Sequence, residues 1–544
     1  RCCCFMSDKA DKIIDIFRLS DPDAKGLISK EQMSMVLKVV CAASDKMIDS
    51  LLSDYGKEHA QGLIEYADFF VWLMGSHWDL VPSSGRVQVE YELAEKLGAG
   101  AFGTVYLGKH RASGAIRAVK TIKKESQREA LDNEIKLMKS VDHPNIVRIY
   151  EVFEDSCFMH LVMELCTGGE LLDKLVEEMG FSERQASLVM QQVLGAVSHL
   201  HAFSICHRDL KPQNFLIHEK GHPVEKCVVK VADFGLSRSY KDGTVFKSPV
   251  GSPSYTAPEV LNGSYTQTCD LWSCGVITYV LLSASLPFRG KDDSEVLGKV
   301  LEGSYSLEGD AWKVVSEDGK SFVRNLMMMD TEKRYTAGQA LCDPWIRNQA
   351  AGSPAELGPA HLENMRAFCR QNRLKKAALH AISHRLRPGD IEKLRNVFND
   401  ADKNRDGLVT YGDLEEAVLK LSMECPGEEA CDKGDKCPAA MTPNKIRLLA
   451  AEIDTDRDGY INWSEFLASA IDKRHYMEER VCLEVFHLFD RDGTGVLSKD
   501  NLLQVLCSSE VENVLGSVAI SRVMRQCDSN GDGVIDFQEF MKMM

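Results

Sequence analysis

The sequence predicts a multidomain protein. A mixed α+β domain of two lobes is flanked on both sides by all-α helix–loop–helix domains. Three observations point there. The chain has 544 residues, too many for a single hydrophobic core. A glycine-rich loop between two strands, near residue 100, is followed by a strand carrying a lysine and then by a helix. The last part of the chain repeats an acidic loop of twelve residues with a glycine at its sixth place.

Composition limits the functional classes. Net charge is −16, and residues 390–544 alone carry −13 (18 Lys+Arg, 31 Asp+Glu). Acid concentrated at one end suits a cation-binding module and argues against nucleic acid as a partner. The 18 cysteines are scattered and no secretory signal opens the chain, so reduced thiols and a cytoplasmic location are expected. The chain starts at Arg1, and Cys2-Cys3-Cys4 would serve as an acylation site, giving membrane association; a chance cluster is the plainer reading. Residues 271–288 carry no charge and are long enough to raise a membrane span, but their position suits a buried central helix better. A monomer is expected.

In chain order, residues 8–75 read as helices broken by two loops. One runs from Asp21 to Gln32, with Gly26 and Ile28 at places six and eight; the other runs from Lys57 to Asp68, with Gly62 and Ile64. The starts are 36 residues apart, a spacing that suits paired calcium hands. Lys25, Gln32, Lys57 and His59 stand where oxygen ligands belong. The pair is read as degenerate, keeping the packing without the metal; a generic helical hairpin is the alternative. Residues 76–90, with Pro82, Ser83, Ser84 and Gly85, read as a linker.

The domain at 91–346 carries the chemistry. Leu97-Gly98-Ala99-Gly100-Ala101-Phe102-Gly103-Thr104-Val105 can bring backbone amides against phosphate oxygens. Lys120, on the strand Ala118-Val119-Lys120, can pair with a glutamate on the next helix; Glu134 is chosen because His143-Pro144-Asn145 lies just beyond it. Leu161-Val162-Met163-Glu164-Leu165-Cys166 would be a strand and hinge, with Met163 guarding the pocket and the backbone of Glu164 and Cys166 meeting an adenine edge. Glu170 suits a ribose, a basic substrate residue, or only solvent. Cys206-His207-Arg208-Asp209-Leu210-Lys211-Pro212-Gln213-Asn214 and Ala232-Asp233-Phe234-Gly235 complete the set. Together these motifs read as a protein kinase, with Asp209 as base, Lys211 marking the serine/threonine branch, and Asn214 and Asp233 for magnesium. Ser248, ahead of Gly251-Ser252-Pro253, is a candidate phosphosite near Arg208. Ser252 keeps the hydroxyl of the usual threonine. Ala257-Pro258-Glu259 closes the segment, with Asp270 and Arg334 at structural positions, the latter expected to pair with Glu259.

Residues 347–389 are a linker and then a basic amphipathic helix expected to run unbroken from Leu362 to Leu386. Leu362, Met365, Phe368, Cys369, Leu379, Ile382 and Leu386 make its apolar side; Arg366, Arg370, Arg373, Lys375 and Lys376 its basic one. Such helices lie in calcium-sensor grooves, although a plain surface or membrane-surface helix has the same pattern.

Residues 390–544 hold four loops. The second has Asp454, Asp456, Asp458, Tyr460 (through its carbonyl) and Glu465. The fourth has Asp528, Asn530, Asp532, Val534 (carbonyl), Asp536 and Glu539. The first has Asp402, Asn404, Asp406 and Leu408 (carbonyl), but Asp413 at place twelve, one methylene short of the usual glutamate, which should weaken calcium. The third has Asp490, Asp492 and Thr494, and ends in Asn501, so weak binding or none is expected. Loops one and two start 52 residues apart, against 36 and 38 for the later intervals, which places an insertion near Glu424–Met441. Its Cys425, Cys431 and Cys437 lack paired spacing for zinc, and a mobile acidic loop is the better reading.

The order of kinase, basic junction helix and four hands resembles the calcium-dependent protein kinase family, over about residues 91–544. The hands at 8–75 resemble an extended subset found in protist parasites. The resemblance implies an α+β bilobal protein kinase fold flanked by all-α EF-hand domains. It implies a serine/threonine kinase using ATP with Mg²⁺, acting on protein substrates. The junction helix would inhibit at low calcium, and Ca²⁺ on the chain's own hands would release it. Two other readings are carried: a catalytically dead, calcium-responsive scaffold, and a kinase driven by separate calmodulin.

Overall fold

The computed structural model describes residues 27–30, 32, 34, 63–65, 87–100, 103–111, 114–123, 128–155, 158–178, 180–241, 243–349, 357–383, 386, 388–423, 441–490, 493–506 and 523–544. The inserted cysteines, Cys2–Cys4, Asp492, Ala101 and Phe102 fall outside these, as does most of 8–75. Two compact units are formed, Ser83–Gln371 with Leu379–Tyr476, and Arg1–Pro82 with Asn372–Ala378 and Met477–Met544.

In the second-named unit, β1 (Leu27–Ser29) and β2 (Leu63–Glu65) pair antiparallel, with Ile28 opposite Ile64. Ser29 N donates to Gln32 Oε1 at 2.8 Å, and Gln32 N to Ser29 Oγ at 3.2 Å.

The larger unit begins with a five-stranded antiparallel sheet of order β3-β4-β5-β7-β6. Its strands are β3 (Tyr91–Gly100), β4 (Gly103–His110), β5 (Ile116–Lys123), β6 (Ile149–Glu154) and β7 (Phe158–Met163). Lys120 lies opposite Val105 on one side and Leu161 on the other. Helix α1 (Arg128–Ser140) follows β5 and carries Glu134. Residues 87–90 correct the linker reading. They form a helical turn whose Val87 is fully buried with Tyr91, Val119, Phe153 and Val162, so this stretch belongs to the sheet's core.

Beyond β7 the lobe is mainly helical. Helices α2 (Leu171–Glu177), α3 (Glu183–Ala202) and α4 (Thr268–Ser283) surround short strands β8 (Ile205–Cys206), β9 (Phe215–Ile217), β10 (Val229–Val231) and β11 (Arg238–Ser239). Ser182 caps α3 with a reciprocal Gln185 box. Helix α4 is buried on every side from Cys269 to Leu282, which explains its uncharged sequence. It ends at Ala284 in a left-handed turn. No described helix is long and apolar enough to cross a membrane.

The junction departs from the expected single helix. It is two helices, α5 (Pro359–Cys369) and α6 (Arg373–Ser383). Asn372 stands at the break and accepts from Lys375 N at 2.8 Å through Oδ1, capping the second helix. Leu386 lies past its end. Helix α7 (Pro388–Ala401) opens the first hand. Its loop pairs with the second through β12 (Val409–Thr410) and β13 (Tyr460–Ile461). The hands are completed by α8 (Tyr411–Met423), α9 (Pro443–Ile453) and α10 (Trp463–Ala470). In the other unit, α11 (Glu479–Phe489), α12 (Lys499–Leu506) and α13 (Phe537–Met543) carry the last two loops, joined by the bridge Leu497–Ile535.

Candidate active site and calcium loops

The β5 lysine and the α1 glutamate meet as the spacing suggested. Lys120 Nζ lies 2.9 Å from Glu134 Oε1 and 3.4 Å from Asp233 Oδ1. Burial alone would push the Lys120 ammonium down, but Glu134 and then Asp233 outweigh it and hold it up, fully charged. Asp233 itself adopts φ +63°, a left-handed conformation that aims its carboxylate at the lysine. The next residue, Phe234, is fully buried, its ring 5.2 Å from that of His207.

The segment 206–214 is held from below by α4. Asp270 accepts from His207 N at 2.9 Å, from Arg208 N at 2.8 Å and from His201 Nε2 at 2.9 Å. Burial works against its charge, yet these partners, His201 foremost, leave the carboxyl below its ordinary range. The bonds allow Arg208 its φ of +68°, which turns the chain so that Asp209 faces the cleft. Lys211 Nζ donates to Asp209 Oδ2 at 2.7 Å, and Ser252 Oγ donates to Asp209 Oδ1 at 3.0 Å. Asn214 Nδ2 reaches the Asp209 carbonyl at 2.8 Å and its Oδ2 at 3.4 Å. Arg334 binds Glu259 through two nitrogens, one at 3.0 Å, and is itself fully buried.

The hinge holds a cluster that sequence reasoning missed. The Glu164 carboxylate lies 2.7 Å from Lys230 Nζ and 2.8 Å from His218 Nε2. Burial opposes its charge, but Lys230 and His218 hold it well below the usual carboxylate range. Lys230 is 66 residues away, beyond any spacing rule. The Glu164 amide is spent on Arg148 O at 2.9 Å. Burial, then the Glu164 charge, pushes the Cys166 thiol up to about 12 and leaves it inert. Leu97 is exposed above the cleft, and Gly103 (φ +137°) would set a Cβ 2.3 Å from Thr121 O, so only glycine is tolerated there.

Ser248 is exposed. Its carbonyl accepts from Tyr265 Oη at 2.8 Å, and that hydroxyl accepts from Arg208 at 3.2 Å. Arg238 stands close enough to Arg208 for the second guanidinium, after burial, to lower its pKa.

The acid loops fit a hard divalent cation. Asp402 Oδ1 and Asp454 Oδ1, at place one of loops one and two, are buried without a hydrogen-bond partner, while their Oδ2 atoms accept from Gly407 N and Gly459 N. Carboxylate oxygens of Asp454, Asp456 and Asp458 converge within 4.8 Å. Burial, then Asp406, pushes Asp402 up to about 7; burial, then Asp456, pushes Glu465 up to about 7. Such crowding favours a cation.

Place twelve separates the loops. Glu465 spans its loop, Oε1 accepting from Thr455 N at 2.7 Å and Oε2 from Asn462 N at 3.1 Å. Glu539 does likewise with Ser529 N and Asp536 N. In loop one, among the described residues, the Asp413 carboxylate accepts only from Thr410, whose N lies at 3.0 Å. In loop three Asn501 accepts from Ser498 and brings no carboxylate; both Asp490 oxygens accept from the loop's own Thr494 and Gly495 amides, as both Asp528 oxygens of loop four do from Gly531 and Gly533.

The junction lies against the hands. Asn364 Nδ2 of α5 donates to Ala470 O at 2.9 Å, and Leu362, Met365 and Phe368 are buried. Lys375, assigned to a basic face, is instead buried, its Nζ 2.9 Å from Met543 O.

A two-lobed kinase fold with an assembled Lys–Glu–Asp core, followed by paired acid loops, defines a protein kinase joined to EF-hands. The protein kinase domain family matches residues 91–346, and the EF-hand domain pair family matches 391–471 and 479–544. Calcium-dependent protein kinase 5 of Plasmodium falciparum (isolate 3D7) is 35% identical over 454 residues, 82% of this chain and 76% of the relative. Calcium-dependent protein kinase 28 of Oryza sativa subsp. japonica is 36% identical over 467 residues, 85% and 84% of the two chains. Calcium-dependent protein kinase 3 of Plasmodium berghei (strain Anka) is 33% identical over 473 residues, 85% and 81%. The chain belongs to the calcium-dependent protein kinase family.

Proposed function

We propose that this calcium-dependent kinase moves the γ-phosphate of ATP to serine or threonine hydroxyls of proteins, and that its own hands gate the reaction. The observation that carries the catalytic reading is Lys120 held between Glu134 and Asp233, the arrangement an active kinase needs. It argues against a dead scaffold. Lys120 would meet the inner phosphates, with the amides of 97–105 above them and the Glu164 carbonyl and Cys166 amide at the adenine. Asp233 and Asn214 would hold Mg²⁺, which when bound screens phosphate charge. Asp209 would accept the substrate hydroxyl's proton on the carboxylate that Lys211 and Ser252 orient. Glu170, raised by burial and then by Asp173, adds acid that suits a basic substrate residue.

For gating, the contacts of α5 and Lys375 with the hands support a junction gripped by the calcium module. Loops two and four carry complete ligand sets; loop one is weaker because Asp413 is short, and loop three lacks a closing carboxylate. The Ile28–Ile64 pairing and the Ser29–Gln32 exchange repeat what Val409–Ile461 and Asn462–Glu465 do, which favours a metal-free hand pair over a generic hairpin. A phosphate on Ser248 would face Arg208 and Arg238.

The test is phosphate transfer to a basic serine peptide by the purified chain, with calcium or chelator and no added calmodulin. Strong transfer only with calcium is expected. Equal transfer in chelator would remove the gating reading. Unchanged calcium activation in the Glu465→Gln/Glu539→Gln double variant would pass sensing to a separate protein.

A further inference from the structure

The place-one carboxylate of loop two is held in part by a residue of loop one. Asp454 is buried, and its Oδ2 accepts from two donors. Gly459 N, in the same loop, lies at 3.0 Å, and Tyr411 Oη lies at 2.7 Å. Tyr411 stands at place ten of loop one and is the first residue of α8, half-buried. A hydroxyl donating to an ionised carboxylate at that distance makes one of the stronger hydrogen bonds open to a side chain. Asp454 Oδ1 is left buried with no partner, while carboxylate oxygens of Asp454, Asp456 and Asp458 lie within 4.8 Å of one another.

The pairing of the two loops delivers the tyrosine. Strands β12 and β13 set Val409 opposite Ile461 and Thr410 opposite Tyr460. One step further in the same antiparallel register, Tyr411 comes beside Gly459, whose amide holds the same oxygen. The register is symmetric, so Trp463, at place ten of loop two, comes beside Gly407 of loop one. That residue has no hydroxyl to return the bond and is buried against Phe398, ring centroids 5.3 Å apart. In the other pair place ten is Lys499 or Phe537, again without a hydroxyl. Loop four holds its own Asp528 from within, Oδ1 accepting from Gly531 N at 2.6 Å and Oδ2 from Gly533 N at 2.9 Å. Loop two has Arg457 at the place of Gly531, and Asp454 Oδ1 receives no such bond.

We infer that Tyr411 is a positioning residue for calcium in hand two, supplied from across the pair by hand one. Its hydroxyl and the Gly459 amide fix Oδ2 from two sides, so Oδ1 is the oxygen presented to the ion. A carboxylate fixed before the ion arrives has less side-chain freedom left to lose on capture. Hydrogen-bond partners of a ligating group commonly carry roughly ten- to a hundredfold of the metal affinity. The inference rests on the proposal that loop two binds calcium.

Calcium titration calorimetry on the full chain tests it. With Asp402→Asn and Glu539→Gln present, loop two is the complete ligand set that remains. Tyr411→Phe, which removes one oxygen and keeps the ring, should then weaken calcium about tenfold or more. With Glu465→Gln present instead, Tyr411→Phe should leave binding to loops one and four unchanged. Wild-type affinity in the first setting overturns the inference. An equal loss in both settings also overturns it, because Tyr411 would then only pack hand one. The reading of loop two is checked separately. If Glu465→Gln alone removes no site, that reading fails and the inference with it; if it removes a site that Tyr411→Phe leaves untouched, the inference alone fails.

Discussion

Calcium uptake should be linked to protons in a way the structure makes quantitative. Asp402 and Glu465 are both buried, and both carboxyls are pushed up to about 7. A ligand must shed its proton to bind the ion. At pH 7 each group is therefore about half protonated, and filling hands one and two should release about one proton in total. Between pH 8 and pH 6 each hand should lose roughly tenfold in apparent affinity, ~1.4 kcal/mol. Asp456, raised to about 6 by burial and then Asp458, is exposed and adds a smaller, screened share. The sign follows from the raised values. The metal-free hands gain from these carboxyls in full below the ordinary carboxylate range of about 4, and lose that gain as pH rises from there to about 7; calcium then takes the proton's place. Calorimetry in two buffers of different ionisation enthalpy counts the protons, and titrations at pH 8 and pH 6 give the affinities. Flat affinity across that range, with no proton released at pH 7, would refute the reasoning.

Other consequences are as direct. Asp413→Glu should let place twelve brace loop one as Glu465 braces loop two, raising calcium affinity in hand one by about tenfold, read by calorimetry. Ser252→Ala removes a donor to the Asp209 carboxylate and should lower kcat about tenfold or more with a smaller change in KM, read by steady-state kinetics. Val87→Ala should cost ~1–2 kcal/mol, seen as a lower Tm, because Val87 is core and not linker.

Much of the site was legible because its parts are local. A calcium loop draws its ligands from twelve consecutive residues, so spacing alone distinguished Glu465 and Glu539 from Asp413 and Asn501, and the bonds at place twelve agree. The run from Cys206 to Asn214 was equally readable, since Lys211 and Asn214 reach Asp209 within five residues. Two local readings failed, one to a local cap and one to distant packing. The junction pattern continued past Arg370, yet Asn372 capped a new helix there. Residues 87–90 looked like linker until Val87 found the underside of the sheet.

By itself, then, the sequence determined which chemical groups the protein has and the order in which they come, because each motif closes its hydrogen bonds or its ligand shell within a short stretch. Tertiary structure alone decided pairings that no motif records. Lys120 is 113 residues from Asp233, Lys230 is 66 from Glu164, and His199 is 207 from the Asp406 carbonyl. A buried charge or imidazole must find its partner wherever the chain's packing delivers one, and nothing in the spacing along the chain records that distance in space.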